Sequence, residues 1–203
     1  RVSSSAASDV YKRQPSNMIE LGSDLPNFNL INTINNELFD SEVLNLNLGT
    51  LVMFICNHCP FVVHVLDEIS SISNFYKGKI NIVAISSNDV DNYPQDSPEM
   101  MKKLASNRKF NFPYLYDETQ NVARLFDAAC TPDFFLYDEE KKLVYRGQLD
   151  DSRPGNDLET TGSDLRNAID CMLKNIKNIS IQKPSIGCNI KWKNSWCMLG
   201  IKI

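Results

Sequence analysis

The sequence predicts an α/β fold, a central mixed β-sheet flanked by helices with an N-terminal β-hairpin extension, and three observations carry that reading. Residues 51–55 are an unbroken apolar run of strand length, as in a strand buried on both faces. Val62, Leu66, Ile69, Ile72 and Tyr76 then recur at helical spacing, with Lys77-Gly78 as a stop. Residues 80–85 form a second buried run, and strand, helix, strand at this spacing is a parallel βαβ unit.

The remaining elements follow in order. Short extended stretches at 28–31 and 37–39 suit a small hairpin. Ser97-Pro98-Glu99 supplies an N-cap, a first-position proline and a first-turn acid for a helix running to about residue 109. Asp117 is placed to cap a short helix in which Val122, Leu125 and Phe126 share a face. Residues 134–137 and 143–147 flank a polar turn and pair most simply as an antiparallel hairpin. A last helix begins at Ser163, with Leu165, Ala168, Ile169, Met172, Leu173 and Ile176 as its stripe.

These elements place one domain at residues 18–178 of the 203. Residues 1–17 are expected to be a non-native or disordered leader, because Arg1 to Gln14 is a Ser/Ala-rich polar stretch without periodicity that resembles translated sequencing-adapter sequence. Residues 179–203 are expected to be a C-terminal tail. Net charge is −4 with scattered basic residues, which argues against a nucleic-acid partner. No apolar run reaches membrane-spanning length and none near the N-terminus looks like a signal-peptide core, so the expectation is a cytoplasmic protein without a membrane partner.

Six cysteines are too few for a disulfide-stapled mini-domain, and only Cys56 and Cys59 form a close C-x-x-C pair, within Cys56-Asn57-His58-Cys59-Pro60. A thiol at a helix N-terminus faces unsatisfied N–H groups and the positive end of the helix dipole, both of which favour thiolate. Cysteines in such settings have pKa values of roughly 3.5–7.5 against about 8.5 when free. Placing Cys56 at that point makes it the expected nucleophile, with Cys59 one turn on as the resolving thiol. His58 as an imidazolium would add to thiolate stabilisation, and Pro60 falls in the first turn, where its missing N–H costs nothing.

The order strand, C-x-x-C, helix, strand, helix, X-Pro, hairpin, helix resembles the thioredoxin superfamily. Phe112-Pro113-Tyr114-Leu115-Tyr116-Asp117 and Phe134-Phe135-Leu136-Tyr137-Asp138 resemble its redoxin branch, which includes alkyl hydroperoxide reductases (AhpC/TSA) and TlpA-like oxidoreductases. The C-N-H-C-P motif, Cys130-Thr131-Pro132-Asp133, residues 146–154 and residues 185–192 are similar to a peroxiredoxin-like subgroup. The resemblance implies a thioredoxin fold and makes Pro132 the cis-proline facing the active-site pair, with the Thr131 backbone open to a bound peptide.

Cys130 is then either an accessory thiol or a buried hydrophobe. His64 reads as a surface or interface side chain, Cys171 as packing, and residues 150–153 as a polar loop bracing the fold. The expected activity is thiol–disulfide oxidoreduction without a cofactor or metal. The partners are a protein or small-molecule disulfide and an external thiol reductant such as a thioredoxin or glutathione system. Two rivals stand beside it. A peroxiredoxin-like antioxidant peroxidase would use Cys59-Pro60, but the T-x-x-C-P threonine is replaced by Cys56 and the later arginine by Thr131-Pro132. A soft-metal module would use Cys56, Cys59 and His58, although structural zinc usually takes four ligands.

Overall fold

The computed structural model describes residues 13–44 and 47–193. Its strands are β1 Arg13–Pro15, β2 Asn29–Asn32, β3 Glu37–Asp40, β4 Thr50–Phe54, β5 Asn81–Ser86, β6 Tyr114–Tyr116, β7 Cys130–Thr131, β8 Asp133–Tyr137, β9 Leu143–Gly147 and β10 Ile186–Asn189. The helices are α1 Pro60–Phe75, α2 Pro98–Asn107, α3 Asn121–Leu125 and α4 Ser163–Leu173, with single 3-10 turns at Ser41–Val43 and Pro94–Asp96.

Seven strands form a mixed sheet in the order β3-β2-β6-β5-β4-β8-β9. The central β4, β5 and β6 run parallel, as the βαβ reading requires, and the hairpins at both edges are antiparallel. Alternation across the pleat sorts β4 into two cores. Leu51 and Met53 pack with α1, α2 and α4 on one face, while Val52 and Phe54 pack with Val122 and Ala123 of α3, Phe126 and the N-terminal Leu25 and Phe28 on the other. Both faces are therefore covered, and all five β4 side chains are buried.

Local chemistry sets the helix starts. Ser97 Oγ accepts from the Met100 N–H with Pro98 at the first position, as the sequence predicts for α2. Asp117 does not cap α3 directly, since Gln120 holds the cap position in the left-handed region. The Asp117 carboxylate instead accepts from the Ala123 N–H at 2.9 Å and from Ser87 Oγ at 2.9 Å, so it serves the first turn from further upstream.

Both predicted domain boundaries fall inside ordered structure. β1 pairs with β10, and buried Ser16 exchanges hydrogen bonds of 2.9 Å with Ser185, so residues 13–17 belong to the fold although the sequence reading set them aside. Residues 179–193 are likewise more than a tail: β10 forms the middle of a second, three-stranded sheet, β1-β10-β7. Residues 1–12 and 194–203 lie outside the described residues.

Candidate active site

The sequence Thr50–Phe54 ends β4 directly at the C-x-x-C segment, and α1 carries the chain away from it. Helix α1 begins at Pro60, with Cys59 as its N-cap. This corrects the placement of Cys56: it lies three residues ahead of the N-cap, and the positive end of the helix dipole falls on Cys59. Both thiols are buried, Cys56 at 1% exposure and Cys59 at 0%.

Their environments push them in opposite directions. The Cys59 sulfur lies 2.9 Å from Cys188 Sγ, and the Cys188 thiol, the Cys56 thiol and the backbone N–H groups of Val62 and Cys188 all favour its thiolate over the cost of burial. The Thr131 carbonyl oxygen, 3.2 Å from the same sulfur, opposes ionisation. It is one acceptor against several donors, and Cys59 is held well below the ordinary thiol value. Cys56 goes the other way: burial, its contact with Cys59 and the charge of Asp96 raise it well above that value, and Thr131 Oγ1 at 3.3 Å only partly offsets them. Burial and Asp96 thus disfavour the Cys56 thiolate that the sequence reading expects.

Asp96, which that reading did not single out, organises the intervening loop. Fully buried at the end of its 3-10 turn, it accepts at Oδ1 from the Asn57 N–H (2.8 Å) and the His58 N–H (3.3 Å). Oδ2 takes His58 Nδ1 (2.5 Å) and Asn88 Nδ2 (2.8 Å). His58 is therefore turned to a carboxylate and stacked on Tyr93, with ring centroids 5.7 Å apart. It is not among the groups that act most on Cys56 or Cys59. Cys56 Sγ, a His58 ring nitrogen and an Asp96 oxygen come within 4.8 Å of one another. Both Asp96 oxygens and His58 Nδ1 are already hydrogen-bonded, Cys56 Sγ contacts Thr131 Oγ1, and the three residues are fewer than the four ligands that zinc usually takes.

The peptide bond Thr131-Pro132 is cis, beside the C-x-x-C pair, as the resemblance implies. The Thr131 edge is not open, however. Strand β10 already pairs with β7 there, Cys188 opposite Thr131 and Asn189 opposite Cys130. Cys130 is buried, its sulfur directed at the carbonyls of Pro132 and Ser185 at 3.8 and 4.0 Å, and burial raises its thiol pKa. His64 bonds Ser152 Oγ and Thr160 Oγ1, each at 3.1 Å. Asp150 accepts from the N–H groups of Ser152, Thr161 and Gly162, so the 150–153 loop braces the fold around the start of α4.

Residues 21–146 match the AhpC/TSA family. The chain belongs to that family. It is a redoxin of the thioredoxin superfamily, the branch that its motifs resemble. An uncharacterized conserved protein from Geobacillus kaustophilus is 51% identical, with a TM-score of 0.88 over 91% of this chain and 98% of its own. A hypothetical protein from Sinorhizobium meliloti is 44% identical, with a TM-score of 0.86 over 88% and 98%. A secreted disulfide oxidoreductase of Mycobacterium tuberculosis shares the fold at 14% identity, with a TM-score of 0.55 over 71% and 95%. No curated protein matches. Among the described residues no helix is long and apolar enough to cross a membrane.

Proposed function

We propose that this redoxin is a thiol–disulfide oxidoreductase whose redox pair is Cys56 and Cys59, with Cys59 as the attacking thiolate and Cys56 as the resolving thiol. The roles are the reverse of those expected from the sequence, and one observation carries the reversal: Cys59, not Cys56, is the N-cap of α1, among donors that favour its charge.

The chemistry balances as a two-electron exchange. The Cys59 thiolate attacks a substrate disulfide, its sulfur bonds one substrate sulfur, and the other leaves as thiolate. The Cys56 thiol gives that leaving group its proton and attacks Cys59. The Cys56–Cys59 disulfide forms and the second substrate sulfur departs as thiolate. An external thiol reductant, of the thioredoxin or glutathione kind, then returns the pair to the dithiol. Asn57 and His58 are half-buried and Pro60 is exposed, so a protein or small-molecule disulfide approaches from that loop, not along the Thr131 edge. The threonine of the T-x-x-C-P pattern is replaced by Cys56 and the later arginine by Thr131-Pro132, which favours disulfide exchange over peroxide reduction.

The test uses a Cys56→Ser/Cys188→Ser chain, in which neither of the thiols beside Cys59 can displace a bound group. Mixed with glutathione disulfide and read by peptide mass spectrometry, it is expected to hold a mixed disulfide on Cys59. A mixed disulfide found instead on Cys56 of a Cys59→Ser chain would restore the opposite roles. Rapid sulfenic acid on Cys59 with hydrogen peroxide, without disulfide exchange, would make the protein a peroxidase.

A further inference from the structure

Strand β10 brings a third sulfur to the pair. Cys188 is 2% exposed and its Sγ stands 2.9 Å from Cys59 Sγ, inside ordinary sulfur contact and within about 1 Å of the roughly 2.05 Å of a disulfide bond. That approach is built into the strand. Gly187 precedes Cys188, and a Cβ there would meet the Thr131 carbonyl oxygen at 2.0 Å, so only glycine lets β10 lie this close to β7. On the far side the strand is tied down by Ile190 N–H to Ala129 O (3.0 Å) and Lys191 N–H to Asn88 Oδ1 (2.9 Å). The segment thus occupies the backbone edge beside the cis-proline, where a bound peptide was expected, and presents a cysteine to the C-x-x-C pair as a peptide substrate would.

We propose that Cys188 is a third redox thiol of this site, exchanging with the Cys56–Cys59 disulfide at Cys59. The inference rests on the exchange chemistry assigned to that pair. In the step, Cys188 sulfur bonds Cys59 sulfur while the Cys56–Cys59 bond breaks. Cys56 leaves as thiolate and takes the proton that Cys188 gives up, and no electrons are gained or lost overall. The product is a Cys59–Cys188 disulfide that clamps β10 across the cis-proline edge and frees Cys56. The arrangement also orders the steps in time. While Cys59 is a thiolate, its contact and charge hold the Cys188 proton in place. Once Cys59 is in a disulfide both effects vanish; burial still raises the Cys188 thiol against the opposing charge of Lys191, but the proton is held less tightly than before. Cys188 is thus a better nucleophile toward oxidised Cys59 than while Cys59 is a thiolate. The third thiol is therefore Cys188, and Cys130, one strand away, is packing.

The test oxidises the full chain with glutathione disulfide, quenches in acid, blocks free thiols and maps disulfides by peptide mass spectrometry. Wild type is expected to yield both Cys56–Cys59 and Cys59–Cys188 bridges. Cys56→Ser is expected to convert to the Cys59–Cys188 bridge, about one per chain, with loss of bound glutathione. Cys188→Ser and Cys188→Ala should keep Cys56–Cys59 alone, with unchanged circular dichroism as the control for folding. If the Cys56→Ser chain instead keeps glutathione on Cys59 while Cys188 is recovered as a free thiol, the third-thiol role is overturned and the exchange chemistry of the pair still stands. If Cys59 takes up no glutathione in any variant, both proposals fall.

Discussion

Cys56 and Cys59 are three residues apart and both buried, yet their surroundings push their proton affinities in opposite directions. Burial raises both; it is the largest influence on Cys56, whereas on Cys59 it is outweighed by the groups brought within reach. The end of β4 and the carboxylate of Asp96 surround Cys56, whereas the first turn of α1 and the N–H and S–H of Cys188 surround Cys59. Proton affinity in a C-x-x-C pair follows from where the helix begins, more than from which cysteine comes first.

The sharpest way to break this contrast is Cys59→Ser, which should reduce disulfide exchange to background while Cys56 remains a protonated thiol at neutral pH. Glutathione uptake followed by mass spectrometry reads both. The same substitution carries a signed pH effect. Folded Cys59 binds its proton more weakly than in the unfolded chain, where the value is about 8.5, so below about 8.5 the unfolded state holds the extra proton. The stability gap between wild type and Cys59→Ser should widen as pH rises toward about 8.5, in denaturant titrations of the reduced proteins. A gap that narrows over that range below about 8.5 would contradict the assignment.

Asp96→Ala comes next. It removes the acceptor of four hydrogen bonds and leaves the Asn57 and His58 N–H groups facing a void, at a cost of about 3 kcal/mol in unfolding free energy. The milder Asp96→Asn keeps the shape and removes the charge, so the Cys56 pKa should fall toward the ordinary thiol value, which a thiol-alkylation pH profile in a Cys59→Ser background would show. Gly187→Ala forces β10 off the Thr131 carbonyl and should cost about 2 kcal/mol while lowering the yield of the Cys59–Cys188 bridge. The smallest effect belongs to Cys171→Ser, half-buried on α4 and remote from the pair. It should shift stability by no more than about 0.5 kcal/mol and leave exchange unaltered.

The frame of the molecule was readable in the chain because it is set by local periodicity. The apolar run of β4, the stripe of α1 and the Ser-Pro start of α2 each announce themselves within a dozen residues. Even the correct helix start was there to be read: a first-turn proline favours the first helical position, which makes the residue before Pro60 the cap. Asp96 and Cys188 were not legible in the same way. Asp96 reaches a loop 38 residues back from a 3-10 turn with no pattern of its own. Cys188 sits in the four-residue Ile-Gly-Cys-Asn, whose strand character comes from pairing with β7 and β1 rather than from alternation. The leader and tail boundaries failed for the same reason, since long-range pairing rather than composition draws residues 13–17 and 179–193 into the fold.

The most direct measurement of the central claim is thiolate absorbance near 240 nm, followed with pH in the reduced wild type, Cys56→Ser and Cys59→Ser. The reversed roles predict a thiolate signal that persists at about pH 5 in wild type and Cys56→Ser and disappears in Cys59→Ser. A signal that survives in Cys59→Ser and disappears in Cys56→Ser would return the nucleophile to Cys56 and contradict the account.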